Sequence, residues 1–169
     1  MLNMEPLSEK EVEIIAWLEF NKRYFFTVSE IDRFAKSRKQ RYNIVYTLLK
    51  KRRIVKLNRR RYFLVPIRAK GGAWSEHPFI IVDEMMDSKD YFIGGWAAAH
   101  HWRLTEQVPA QTDVYTTRRQ GKAIVLSTRI VFHRTTRERL GHGVVEQVQN
   151  HAVRILSKED SNKWLKLHR

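Results

Sequence analysis

The sequence has no cysteine, which excludes a disulfide framework and any thiolate zinc site and suits a reducing compartment. No apolar run approaches the roughly 18 residues that a membrane span needs. Residues Met1 to Glu13 carry acids and lack the basic-then-apolar order of a secretion signal. These absences point to the cytoplasm. There is also no phosphate-binding loop, no glycine-rich dinucleotide fingerprint and no nucleophile elbow. The absence with most content is local: between Arg33 and Arg61 there is no acidic residue, while thirteen positions are Lys or Arg.

What is present is enough for a folded protein. The chain has 169 residues, 43% of them apolar and 11% aromatic, with five tryptophans, which fits one medium domain or two small ones. Net charge is +14. The first 66 residues contribute +9 of it, from sixteen basic and seven acidic side chains. An uninterrupted basic stretch concentrates positive potential and attracts a polyanion.

Three capping signals precede that stretch or open within it. Ser8 with Glu11, Thr27 with Glu30, and Ser37 with Gln40 each place a hydroxyl at a helix start and a Glu or Gln three residues on. The first helix carries Val12, Ile15, Ala16 and Leu18 to Phe20 at helical spacing and ends near Asn21. Lys22 to Phe26 read as a basic, aromatic connection. A short second helix carries Ile31, Phe34 and Ala35, and a longer third runs to about Arg52. Three helices in 45 residues, the middle one short, give a helix-turn-helix outline.

On the third helix Ile44, Val45, Leu48 and Leu49 share the face that packs inward. The opposite face holds Lys39, Asn43, Tyr46 and Lys50, flanked by Gln40, Tyr42 and Thr47. Such side chains suit base edges: Lys to guanine, Asn or Gln to adenine, Thr to a thymine methyl. The helix start, with Arg38, suits a phosphate. Arg41 projects toward the core side and takes a phosphate or packing role. Two β-prone runs follow, Ile54 to Leu57 and Tyr62 to Val65, around Asn58-Arg59-Arg60-Arg61. A hairpin directly after a recognition helix is a wing, and its arginines suit phosphates or a narrow minor groove. The DNA-binding set is therefore Arg38, Lys39, Gln40, Asn43, Tyr46, Thr47, Lys50, Arg59, Arg60 and Arg61, with double-stranded DNA as partner.

Arg68 to Gly72 form a basic linker and the domain boundary. Beyond it, Phe79 to Val82 read as a short buried strand and Asp83 to Asp90 as a short helix or turn. Tyr91 to Ile93 lead through Gly94-Gly95 into a helix from Trp96 to about Trp102. Strands are expected at 113–117, 123–126, 129–133 and 152–156. Trp74, Trp96 and Trp102 read as core.

The run Tyr91-Phe92-Ile93-Gly94-Gly95-Trp96-Ala97-Ala98-Ala99-His100, then Leu104-Thr105-Glu106-Gln107-Val108-Pro109, then Val114 to Thr117, resembles the AbiEi-like antitoxins of type IV toxin–antitoxin systems. The likeness extends over roughly residues 8 to 159, including a wing that ends in an aromatic strand. It implies autoregulation at an inverted repeat in the protein's own promoter. It also implies a nucleotidyltransferase-like toxin as functional partner, with no direct complex required. Two features depart from the family: Arg60 stands where the wing usually has glycine, and the sequence ends ten residues after Val153 to Glu159, which resemble a segment that normally precedes further C-terminal helices. The expected fold class is thus α+β. Residues 1–66 form a winged helix-turn-helix, and residues 73–169 form a small mixed α+β antitoxin-like domain shortened at its C-terminus.

Other readings of the residues are a nuclease and an RNA-binding module. Asp83, Glu84, Asp87 and Asp90 would be the nuclease carboxylates, but no strand-borne acid followed by a Glu-x-Lys pair is present. Tyr24, Phe25 and Phe26 would be stacking surfaces for RNA. His100 and His101 point about 100° apart on a helix and do not easily share one ion. His133, His142 and His151 have no paired acid pattern in the sequence. No metal, cofactor or catalytic residue is expected.

Overall fold

The computed structural model describes residues 5–67 and 76–168. The chain is α+β and divides into two compact units, Met1–Trp74 and Ser75–Arg169. The linker expected at Arg68 to Gly72, and Trp74, lie outside the described residues.

In the first unit, α1 (Glu9–Phe20) starts where Ser8 Oγ accepts from the Glu11 N–H and the Glu11 carboxylate accepts from the Ser8 N–H. After β1 (Phe25–Thr27) comes a 3-10 helix, Val28–Phe34, where the sequence predicts a short helix. The Thr27 N–H donates to Glu30 at 2.7 Å, which fixes the start of that turn. The next helix, α2 (Arg38–Lys50), is followed by β2 (Ile54–Lys56) and β3 (Arg61–Leu64). α1 and α2 end alike: Lys22 and Arg52 adopt left-handed φ values of 55°. That turn returns the Arg23 N–H to the Leu18 carbonyl and the Arg53 N–H to the Leu48 carbonyl.

The strands form an antiparallel sheet in the order β1-β3-β2, with Phe25 opposite Phe63 and Val55 opposite Phe63 on the other side. β1 overlaps the end of what the sequence suggests is a connection, Lys22 to Phe26, and takes in the expected cap residue Thr27. The run is only three residues long and gains its strand character from pairing with β3. Ile14, Ile15 and Leu18 of α1, Ile31, Ile44, Val45 and Leu48, and Phe26, Ile54 and Leu64 of the sheet form one core. Burial of each such side chain is worth about 1.5–3 kcal/mol.

The second unit is a six-stranded sheet in the order β6-β7-β5-β4-β9-β8. Its elements are α3 (Pro78–Met86), β4 (Tyr91–Gly94), α4 (Gly95–His101), β5 (Thr112–Thr116), β6 (Gly121–Val125) and β7 (Thr128–Arg134). They continue with α5 (Arg137–Leu140), β8 (Gly143–Val148), β9 (His151–Leu156) and α6 (Lys158–Leu167). The pairs β4–β9 and β5–β7 are parallel and the other three antiparallel.

Phe79 to Val82, expected as a strand, belong to α3. Pro78 stands in the first turn, where it costs no hydrogen bond, and His77 Nδ1 accepts from the Phe79 N–H at 3.2 Å. Every residue from Phe79 to Asp83 is buried. A helix covered on nearly all sides shows no helical period, so four apolar residues read equally as a strand. β8 and α6 carried no expectation. α6 is capped by Ser157, whose Oγ accepts from the Asp160 N–H, so it starts within the segment Val153 to Glu159.

The block Tyr91 to Ala99 folds as a strand running straight into a helix. A Cβ on Gly94 would lie 2.7 Å from the Tyr115 ring, and Gly95 has φ +60° against Asp113. Both positions therefore need glycine. Trp96 and Trp102 are half-buried: Trp96 meets Trp164 edge-on, and Trp102 Nε1 donates to the Leu156 carbonyl at 2.8 Å.

Candidate nucleic-acid interface

The start of α2 is set by Ser37, whose Oγ accepts from the Gln40 N–H at 3.2 Å. Gln40 Oε1 in turn accepts from the Lys36 N–H at 2.7 Å, one residue further back than an ordinary reciprocal cap. Ile44, Val45 and Leu48 are buried and Leu49 packs beside them, as the helical wheel requires. The opposite face exposes Arg38, Lys39, Tyr42, Asn43 and Tyr46.

Four expected contact residues stand differently from the simple wheel. Gln40 is half-buried and its amide oxygen serves the helix cap, so that oxygen is not free for an adenine edge. Thr47 Oγ1 donates back to the Asn43 and Ile44 carbonyls, both at 3.0 Å, a local bond that removes its hydroxyl from base reading. Lys50 is exposed but lies 3.4 Å from Glu5. Arg61 opens β3, half-buried and paired across to Thr27.

Arg41 takes the packing role. Its Nη1 lies 2.6 Å from Asp32 Oδ1, joining α2 to the 3-10 helix, and the Asp32 carboxylate raises its pKa further. Lys51 is 2.6 Å from Glu11 and Arg53 is buried. The exposed cations of the acid-free stretch are therefore Arg33, Lys36, Arg38, Lys39, Lys50, Arg52, Lys56, Arg59 and Arg60. Arg33 lies over the Trp17 ring at 5.1 Å.

The hairpin tip is organised by Asn58, whose Oδ1 accepts from the Arg60 N–H at 2.9 Å and the Arg61 N–H at 2.8 Å. Among the described residues, Arg60 is not one with a positive φ. The turn is thus closed by an asparagine side chain and needs no glycine at that position. Arg59 and Arg60 remain exposed at the tip.

Sequence reasoning understated Tyr42. It is 53% exposed, and its hydroxyl is approached by Arg38 Nη2 at 3.4 Å. The Arg38 and Arg41 guanidiniums stand 5.6 and 5.7 Å from its ring centre. The Arg38 hydrogen bond and the two positive charges lower the phenol's pKa. The i, i+4 spacing of Arg38 and Tyr42 was the available signal.

The residues of the alternative readings sit elsewhere. Phe26 is fully buried, Phe25 packs on Phe63 across the sheet, and Tyr24 is half-buried. Asp83 is buried and accepts from Tyr91 Oη at 2.6 Å and Ser88 Oγ at 2.7 Å, with His151 Nε2 at 2.8 Å. Burial and the bond to Asp83 push the Tyr91 phenol far above its usual range.

The expectation that His133, His142 and His151 lack paired acids is corrected. His133 meets Asp113, His142 meets Asp160 and His151 meets Asp83, each at 2.8 Å. The partners are 20, 18 and 68 residues apart in sequence, so only the fold reveals them. Among the described residues no group of three His, Asp or Glu is placed to hold a metal ion, and no helix is long and apolar enough to cross a membrane. Neither a scan of protein-family models nor a search of curated proteins returns a match for this chain.

Proposed function

We propose that the chain is a sequence-specific, double-stranded DNA-binding transcriptional repressor acting in the cytoplasm, with no enzymatic activity of its own. In this reading the first unit is a winged helix-turn-helix, with α2 as recognition helix and the β2–β3 hairpin as wing. One observation carries it. α2 exposes Arg38, Lys39, Asn43 and Tyr46 with no acid among them, and the hairpin that follows presents Arg59 and Arg60 at its tip. A recognition helix lies in the major groove with base-reading residues toward its N-terminal part, and Lys39 and Asn43 sit in the first half of α2. The wing arginines then meet phosphate or minor groove.

The resemblance of the 91–117 block extends the proposal. The chain would be the autoregulating antitoxin of a type IV toxin–antitoxin system, acting at an inverted repeat in its own promoter. Its functional partner would be a nucleotidyltransferase-like toxin, with no complex required.

The test is binding of the full chain to labelled random-sequence duplex, to single-stranded RNA of the same length, and to duplex with added magnesium. Duplex preference without cleavage supports the proposal. Preference for RNA, or metal-dependent cleavage, refutes it.

A further inference from the structure

α2 carries two exposed phenol rings on the face that the proposed function turns toward DNA. Tyr46 is 67% and Tyr42 53% exposed, four residues apart and so one above the other on the helix. The remaining exposed side chains of that face, Arg38, Lys39, Asn43 and Lys50, are polar. Exposed apolar surface gains most where it meets apolar surface, and in the major groove the only apolar group is the C5-methyl of thymine. Thr47, the residue type first expected to meet such a methyl, is half-buried with its hydroxyl bonded back to the helix. The tyrosines are its better-placed replacements.

Tyr42 is also held before any ligand arrives. The Arg38 and Arg41 guanidiniums both lie near its ring, and Arg41 is itself fixed by Asp32. A ring restrained by its neighbours loses less freedom on binding than a mobile one.

We infer that Tyr42 and Tyr46 read thymine methyl groups, so that the preferred duplex carries two thymines one or two base steps apart. The spacing follows from the helix: four residues rise about 6 Å, against roughly 3.4 Å per base step. The inference rests on the DNA-binding reading and names what the proposed recognition helix selects.

The probe is a random-sequence duplex pool, enriched on the full-length protein. The enriched duplex is then made with thymine or with uracil at each thymine position, which removes only the methyl. Burial of one methyl is worth about 0.8 kcal/mol, or close to fourfold in affinity. Wild type should therefore weaken by about fourfold per contacted position and by about sixteenfold for two. Tyr42→Ala and Tyr46→Ala should each abolish the sensitivity at one position, while Tyr42→Phe and Tyr46→Phe keep it. The thermal unfolding midpoint of all four variants should match wild type, since both rings are exposed, which separates lost reading from lost fold.

Equal binding of the thymine and uracil duplexes by wild type overturns the inference and leaves the DNA-binding reading intact. Uracil sensitivity that survives in the double alanine variant overturns it too. Failure of the protein to retain any duplex from the pool refutes both together.

Discussion

Lys51 Nζ lies 2.6 Å from Glu11 Oε2 and also donates to the Pro6 carbonyl, so the end of α2 is locked to the start of α1. Burial alone would raise the Glu11 pKa, but the Lys51 ammonium and the Ser8 N–H outweigh it and the net shift is downward. A carboxyl depressed in the folded state contributes stability above its unfolded value, about 4.3, and loses it as pH falls through the folded value. Lys51→Met should therefore cost about 3 kcal/mol near neutral pH, because it strands a buried carboxylate. In urea denaturation the deficit should shrink below about pH 4. Adding Glu11→Leu should recover most of it, and no recovery would mean the pair is not the cause.

Lys50, one residue earlier, should behave oppositely. It is exposed, and its contact with Glu5 is a surface one worth little. Lys50→Ala should leave stability within about 0.5 kcal/mol and lower duplex affinity. A binding curve matching wild type at low salt would remove Lys50 from the interface.

The wing makes a prediction about salt. Each phosphate contact contributes close to −0.9 to the slope of log affinity against log salt. Replacing Arg59 and Arg60 with Ala should flatten that slope by roughly 1.8 and weaken binding to all sequences alike. The triple change with Arg61 should add less than a third such step, since Arg61 sits within the sheet pairing. An unaltered slope in the double variant would place the hairpin away from DNA.

Base choice should instead follow α2. Asn43→Ala and Lys39→Ala are expected to reduce discrimination by about 1–3 kcal/mol at individual base pairs. Arg41→Ala should loosen the joint with Asp32 and lower stability without changing the selected motif. Identical motifs from wild type, Asn43→Ala and Lys39→Ala would exclude this face as the reader.

The second unit has its own acid sensitivity. Burial lowers the pKa of His77, and of His101 against Phe79. A histidine depressed in the folded state leaves the unfolded chain binding more protons. Stability is then full above about pH 6.5, falls as pH drops through that value, and levels off below the folded value. His77→Asn keeps an acceptor suited to the N-cap of α3 and should flatten the pH 5–7 segment of the thermal unfolding curve. A slope as steep as wild type would rule His77 out.

The two units should also separate by activity. Residues 1–66 should suffice for weak duplex binding, and residues 73–169 should be needed for antitoxin action. If the antitoxin reading holds, co-expression with a nucleotidyltransferase-like toxin should give rescue by the full chain, never by the first unit alone. Failure of the full chain would remove the antitoxin reading and leave the repressor one.

Much of the first unit was legible because its signals are local. Ser8 with Glu11, Thr27 with Glu30 and Ser37 before Gln40 stand within one turn of each other, and the structure uses all three at element starts. What escaped depends on distance along the chain. β1 exists only by pairing with β3, and the Asp partners of the three histidines come from other strands or helices. α3 escaped for a different reason, since burial on nearly all sides erased its period. Within the candidate interface, residue types indicated which side chains are cationic or polar. The engagement of Gln40, Thr47 and Arg41 inside the chain needed coordinates.

The sheet of the second unit sets an order on synthesis. β4 is paired on one flank by β5 and on the other by β9, where Ile93 meets Ile155. The strand that fills this inner position is thus made after every other strand of the sheet. Until then, β4 keeps an open hydrogen-bonding edge lined by Tyr91 and Ile93, side chains that are buried in the finished fold. The first unit, whose described contacts are complete by Ile67, has no such wait. Nascent chains should therefore pass through a stage with a finished basic unit and an unfilled sheet, open to wrong strand pairing.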